Sequence, residues 1–255
     1  MRTLYGGAEA APDGRPMPHA PTGAVGLLAS VATLEEVSLA LQLGADILDL
    51  KDPAAGALGA WDPVLLPEAV RLVAGRVPVS ATVGDLPMEP KQLRDAARVT
   101  AAAGVDIVKL GFFGGAGQRA VLEALAPLAR SGVRLVSVLM ADREPDLDLT
   151  PLLARAGFFG VMLDTAEKSA GGLRRHLDPV RLAAFVASAR AHGLVSGLAG
   201  SLRVADIAPL GRLRPDYLGF RGALCGGDRT AGLDAGAMAA VRRAVNETCR
   251  FPALA

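Results

Sequence analysis

Four stretches of this chain repeat one local design: LGADILDLK (43–51), AGVDIVKLG (103–111), AGFFGVMLD (156–164) and RPDYLGFRG (214–222). In each a helical pattern stops, often at a glycine, and a short run of buried-strand character follows at once. A chain that alternates helix and buried strand this way is restricted to parallel sheets covered by helices. Strand-length apolar runs occur at 25–30, 47–51, 77–83, 107–111, 135–140, 160–164, 195–199 and 217–222. Helix starts fall between them: Thr33 before Glu35 and Glu36, Pro90, Thr150 with Pro151, and Asp178 with Pro179. Stops fall at Gly44, Gly104, Gly157 and the His192-Gly193 pair.

Eight βα units in roughly 230 residues is the closing number and length of a (β/α)8 TIM barrel. A doubly wound open sheet uses the same units. It is disfavoured because Ser30-Val31-Ala32-Thr33, not a glycine-rich G-x-G-x-x-G turn, follows the first strand. The expected organisation is a single barrel domain over 23–255. Residues 1–22, His19 included, are Pro, Gly and Ala-rich with no signal-peptide core, and are expected to be a disordered tail.

Composition removes whole classes of function. With 27 Lys+Arg against 26 Asp+Glu and 4% aromatics, the chain lacks the basic, stacking surface of a nucleic-acid binder. No apolar run approaches the roughly 20 residues of a membrane span. The two cysteines and three histidines have no metal-ligand or disulfide spacing, so no metal, no cofactor and a reducing, cytoplasmic setting are expected. The apolar, alanine-rich helices leave room for a homo-oligomer.

The lysines carry the chemical signal. Of 27 basic residues 23 are arginine, and the only lysines are Lys51, Lys91, Lys109 and Lys168. Arginine neither deprotonates nor forms imines, whereas a desolvated lysine can do both. On a barrel, chemistry sits at the strand C-termini. There the sequence places Asp49 and Lys51, Lys109, Asp142, Asp164 with Lys168 four residues on, and Arg221. Period-two alternation turns Ile47, Asp49 and Lys51 inward and Leu48 and Leu50 toward the helices. Crowded ammonium groups lower one another's proton affinity, so amine catalysis is favoured for the cluster, with ion pairs closing the mouth as the alternative. Lys91, at a helix start, reads as solvated.

The last two loops suggest an anion site. Gly200, Ser201 and Arg203 follow the seventh strand, and Arg221 and Gly222 end the eighth, where barrels often hold phosphate. The later Gly226-Gly227-Asp228-Arg229 is open between a plain turn and a second phosphate ligand. Cys225 and Trp61 read as packing residues, Trp61 also as a candidate pocket wall, and His192 as a helix terminus.

These motifs, LLASVATLEEVSLALQLGADILDLKDPAAGALGA (27–60), SATVGD (80–85), GVDIVKLGFFG (104–114), VMLDTAEKSAG (161–171), GLAGSLR (197–203) and FRGALCGGDR (220–229), resemble the (5-formylfuran-3-yl)methyl phosphate synthase family over about residues 25–249. The resemblance implies synthesis of the furan precursor of methanofuran. Two glyceraldehyde 3-phosphates would condense by class I aldolase-like Schiff-base chemistry, losing one phosphate and two waters. It implies the Schiff base on Lys51, proton acceptance by Lys109, and supporting roles for Asp49, Asp164 and Lys168. The chain departs from the family pattern with Asp52 where Asn is expected and Arg203 where Lys is expected. Another class I lyase on a sugar phosphate, or a non-catalytic phosphometabolite sensor, remain alternatives.

Overall fold

A computed structural model describes residues 24–249; the expected tail lies outside the described residues. The chain runs β1 (Gly26–Val31), α1 (Leu34–Gln42), β2 (Ile47–Leu50), α2 (Leu66–Val73), β3 (Val79–Thr82), α3 (Pro90–Ala102), β4 (Ile107–Phe112) and α4 (Gln118–Arg130). It continues through β5 (Leu135–Met140), α5 (Leu149–Ala156), β6 (Gly160–Asp164), α6 (Leu173–His176), α7 (Pro179–Ala191), β7 (Val195–Leu198), α8 (Val204–Gly211), β8 (Tyr217–Phe220) and α9 (Ala235–Thr248). All eight strands are parallel, each pairs with its sequence neighbours, and β8 pairs with β1. The sheet is closed, as expected, and has no edge.

The repeated unit has a physical reason. Asp46, Asp106 and Asp216 each stand one residue before a strand, and each carboxylate accepts a backbone N–H from the start of a neighbouring strand. The partners are Leu27 at 2.7 Å, Val79 at 2.8 Å and Ser196 at 2.7 Å. Each aspartate's own N–H returns a bond to the carbonyl of the same residue. The aspartate thus fastens the lower end of the barrel, where a ladder amide would otherwise lack a partner. Arg242 on α9 pairs with Asp46 at 2.6 Å and ties the last helix to the first two strands.

Alternation divides the core in two. Leu48 and Leu50 belong to the layer between sheet and helices, while Leu28, Ile47, Ile107, Val136, Met162 and Tyr217 fill the barrel interior. The Tyr217 ring fits because Gly197 faces it: a Cβ there would stand 2.5 Å from a ring carbon. Thr33 caps α1 through the Glu36 N–H at 3.2 Å, and Asp178 caps α7 through Val180 and Arg181. Thr150 departs from expectation. Helix α5 begins two residues earlier, at Leu149 with Asp148 at its cap position, and the buried Thr150 hydroxyl has no hydrogen-bond partner.

Candidate active site

The strand ends converge on one mouth, and two carboxylates organise the ammonium groups there. The lower is Asp49, wholly buried on the inward face of β2. The register sets it beside Ser30 of β1 and Ser80 of β3. Its oxygens accept from Ser80 Oγ at 2.6 Å, Ser30 Oγ at 3.0 Å and Lys109 Nζ at 3.0 Å. Burial pushes the carboxyl up, but the Lys109 and Lys51 ammoniums and the Ser80 bond outweigh it and hold Asp49 below the usual carboxylate range. Beneath it, burial with Asp49 and Asp216 pushes the Tyr217 phenol far up, so this floor residue stays protonated.

The upper carboxylate is Asp164, at the end of β6. Lys168 Nζ donates to it at 2.5 Å and also to the Thr165 carbonyl, while the Thr165 N–H bonds Asp164 at 2.7 Å. Lys51 Nζ stands 3.7 Å from the other oxygen. Burial pushes Asp164 up; Lys168 and Lys51 overcome that and hold it well below its ordinary value.

Lys51 immediately follows β2 and is only 5% exposed. Its Nζ makes no hydrogen bond among the described residues, and its closest ionic partner is that Asp164 oxygen. Burial pushes its amine down to about 8, with Lys168 and Lys109 acting in the same direction and Asp164 and Asp49 against. At pH 7 this raises the neutral fraction roughly 200-fold over an ordinary lysine near 10.4.

Lys51, Lys109, Asp164 and Lys168 line a single cavity of about 480 Å³. Its rim is the β7–α8 loop. Gly200 has φ +106° and Ser201 φ +47°, an unusual conformation for a residue with a Cβ. The Ser201 and Leu202 amides have no acceptor among the described residues, and α8 starts at Val204 on the same rim. The Arg203 residue is exposed there and its guanidinium has no carboxylate partner among the described residues: Asp206 accepts the Arg203 backbone N–H at 2.9 Å and pairs with Arg174 at 3.0 Å. Gly222 also lines the cavity.

Two expected ligands are already engaged by other groups of the protein. The Asp142 carboxylate accepts the Ala166 and Glu167 amides at 2.8 and 2.7 Å, shaping the loop that carries Lys168, and does not line the cavity. The Arg221 guanidinium reaches the cavity wall but is held in a buried pair with Glu36 and by the carbonyls of Ser30, Arg229 and Ala231. Ser30, Ser80 and Thr165 were not singled out from the sequence. Period-two alternation, applied to their strands as it was to β2, puts both serines on the Asp49 face.

The bland readings hold for several residues. Lys91 is exposed and pairs with Asp95 at 2.7 Å. Trp61 is buried in the outer core with its indole N–H on the Val31 carbonyl, and does not line the cavity. Cys225 is buried, and burial pushes its thiol up. His192 caps the end of α7, its Nδ1 at 2.8 Å from the Ser188 carbonyl. Asp52 closes a turn by accepting the Ala54 N–H at 2.8 Å, a bond the expected Asn would also make. Among the described residues no helix is long and apolar enough to cross a membrane, and no three His, Cys, Asp or Glu side chains are gathered to hold a metal.

Comparison with known proteins identifies the family and the fold. The sequence model described as 4-HFC-P synthase matches residues 27–242. A (5-formylfuran-3-yl)methyl phosphate synthase of Methanosarcina mazei is 36% identical over 218 residues, covering 81% of this chain and 93% of the relative. A Methylorubrum extorquens protein provisionally given the same name is 46% identical over 209 residues, covering 82% and 86%. Among solved structures, phosphoribosyl anthranilate isomerase of Thermus thermophilus superposes with a TM-score of 0.62 over 88% of this chain and 99% of its own, at 16% identity. That last likeness is one of fold.

Proposed function

The chain belongs to the 4-HFC-P synthase family, and from that premise we propose that it is a lyase condensing two glyceraldehyde 3-phosphates through an imine on Lys51. The product would be (5-formylfuran-3-yl)methyl phosphate, formed with release of one phosphate and two waters. The observation that carries the reading is the buried Lys51 amine, lowered to about 8 and free of any close hydrogen bond, in a cavity lined by further proton carriers.

The chemistry follows from that placement. The neutral Lys51 amine adds to a triose phosphate carbonyl, and with a proton from the neighbouring Lys168 ammonium the adduct expels water to give a protonated imine, which acidifies the adjacent C–H. The Asp49–Lys109 pair takes that proton, and the enamine attacks the second aldehyde. Asp164 and Lys168, joined at 2.5 Å, exchange protons with the hydroxyls lost during dehydration and ring closure. The free amides of Ser201 and Leu202, the α8 N-terminus and Arg203 suit the retained phosphate. No step draws on Asp142 or the Arg221 guanidinium.

The test is borohydride trapping with glyceraldehyde 3-phosphate, peptide mass mapping, and a parallel borohydride-free reaction scanned for a furan aldehyde. An adduct on Lys51 with furan product is expected, and Lys51→Arg should abolish both. Substantial turnover by Lys51→Arg would refute amine catalysis. An adduct without furan would keep the aldolase chemistry and discard this product. Neither adduct nor product would indicate a binding protein.

A further inference from the structure

The β8–α9 loop carries two arginines at the cavity, and the structure separates their duties. Arg221 is closed off. Both terminal nitrogens meet Glu36, and its N–H groups also donate to the carbonyls of Arg229 and Ala231 at 2.8 Å and of Ser30 at 3.3 Å. Glu36 additionally accepts the Leu233 N–H at 3.1 Å. The buried pair therefore fixes the backbone at and beyond residue 229 and presents no charge to a ligand.

Arg229 is the opposite case. It is partly buried and lines the cavity, and its Nη2 donates to the Gly56 carbonyl at 2.8 Å on the loop after β2. No carboxylate lies within ion-pair distance of it among the described residues. Burial pushes the guanidinium down and Arg221 adds to this, while Asp164, Asp85 and Asp52 oppose. Arginine does not escape such a place by losing its proton. One nitrogen is engaged with Gly56, so the rest of the fork is available for an anion.

A charge inventory of the cavity leads to the same residue. Lys109 is matched by Asp49, Lys51 and Lys168 share Asp164, and Arg221 is matched by Glu36. Two lining cations are left without a carboxylate, Arg203 on the β7–α8 loop and Arg229 on the β8–α9 loop. We propose that Arg229 forms a second anion subsite, separate from the Gly200–Arg203 rim, and that it holds the phosphate of the second substrate molecule. The identity of that ligand rests on the condensation reading above; the existence of two anion subsites does not.

Titration of the isotopically labelled full chain with inorganic phosphate, followed by NMR, tests this. In the wild type, the amides of Ser201 and Leu202 on one side and those of Gly56 and Gly227 beside Arg229 on the other should report two separately saturating events. Arg229→Gln should abolish the second or weaken it about 10- to 100-fold, and leave the Ser201 and Leu202 response within about twofold. Arg229→Lys should restore part of it. With glyceraldehyde 3-phosphate, Arg229→Gln should still trap an adduct on Lys51 while the KM for furan formation rises by a similar factor. A single saturating event in the wild type overturns the subsite whatever the variants do. Equal weakening of both events in Arg229→Gln also overturns it, making Arg229 a strut to Gly56. Two events without furan product would leave the subsite standing and remove the condensation reading.

Discussion

Replacing Lys51 by Met should make the protein more stable while abolishing its proposed chemistry. The reasoning starts from the lowered amine. An unfolded lysine titrates near 10.4, and in the folded chain Lys51 titrates at about 8. Between those values the unfolded chain binds more protons than the folded one, so stability rises with pH across that window. Below 8 the folded state carries the full cost of a buried ammonium, about 3 kcal/mol at pH 7, falling to about 1 kcal/mol at pH 9.5. Methionine fills a similar volume without charge, and Asp164 keeps Lys168 as its partner. Reversible urea denaturation of both proteins at pH 7 and 9.5 reads the difference, and effects of other groups largely cancel. The variant should lead by up to about 3 kcal/mol at pH 7, with the lead shrinking by about 2 kcal/mol at pH 9.5. A difference that does not change with pH would refute the claim that Lys51 is held near neutrality by burial.

Removing the neighbouring cation should act in the opposite direction on the same amine. Lys168→Met takes away an ammonium that lowers Lys51 and leaves Asp164 to stabilise the Lys51 charge alone, so the pH at which borohydride trapping becomes half-maximal should move upward. An unchanged trapping profile would show that the two lysines do not sense each other. Glu36→Ala should cost about 3 to 5 kcal/mol in chemical denaturation, because it leaves the buried Arg221 guanidinium without its counter-ion. A cost below about 1 kcal/mol would mean that solvent already reaches the pair.

The barrel was legible because its signals are local and repeated. A glycine stop, an aspartate and an alternating strand recur often enough that closure follows from counting, and the Asp46, Asp106 and Asp216 bonds show why the aspartate belongs to the unit. Strand ends shift by a residue or two, and Lys51 lies just beyond β2 rather than within it. Thr150 misled because a Thr-Pro pair satisfies the local rule for a helix start, while the buried Leu149 begins the helix two residues ahead of Pro151. The lysine and carboxylate cluster at the mouth was legible for a different reason: a chain that otherwise uses arginine keeps lysine at strand ends, and alternation alone turns Asp49 and Lys51 inward.

What the sequence did not contain is which charges neutralise which. Arg221 and Arg229 are eight residues apart on one loop, and both are compatible with binding phosphate. The difference between them is Glu36, which lies 185 residues from Arg221 in the chain and looks from sequence like an ordinary acidic residue in the first turn of a helix. Closing the barrel brings β1 beside β8, and only then does Glu36 take the guanidinium that stands at the strand end. Asp142 follows the same logic, since two amides 24 and 25 residues away claim its carboxylate before any ligand could. Position at the mouth is therefore necessary for a binding residue but insufficient. Among the arginines of this cavity, those proposed for an anion are the ones whose counter-charge the fold has not already supplied.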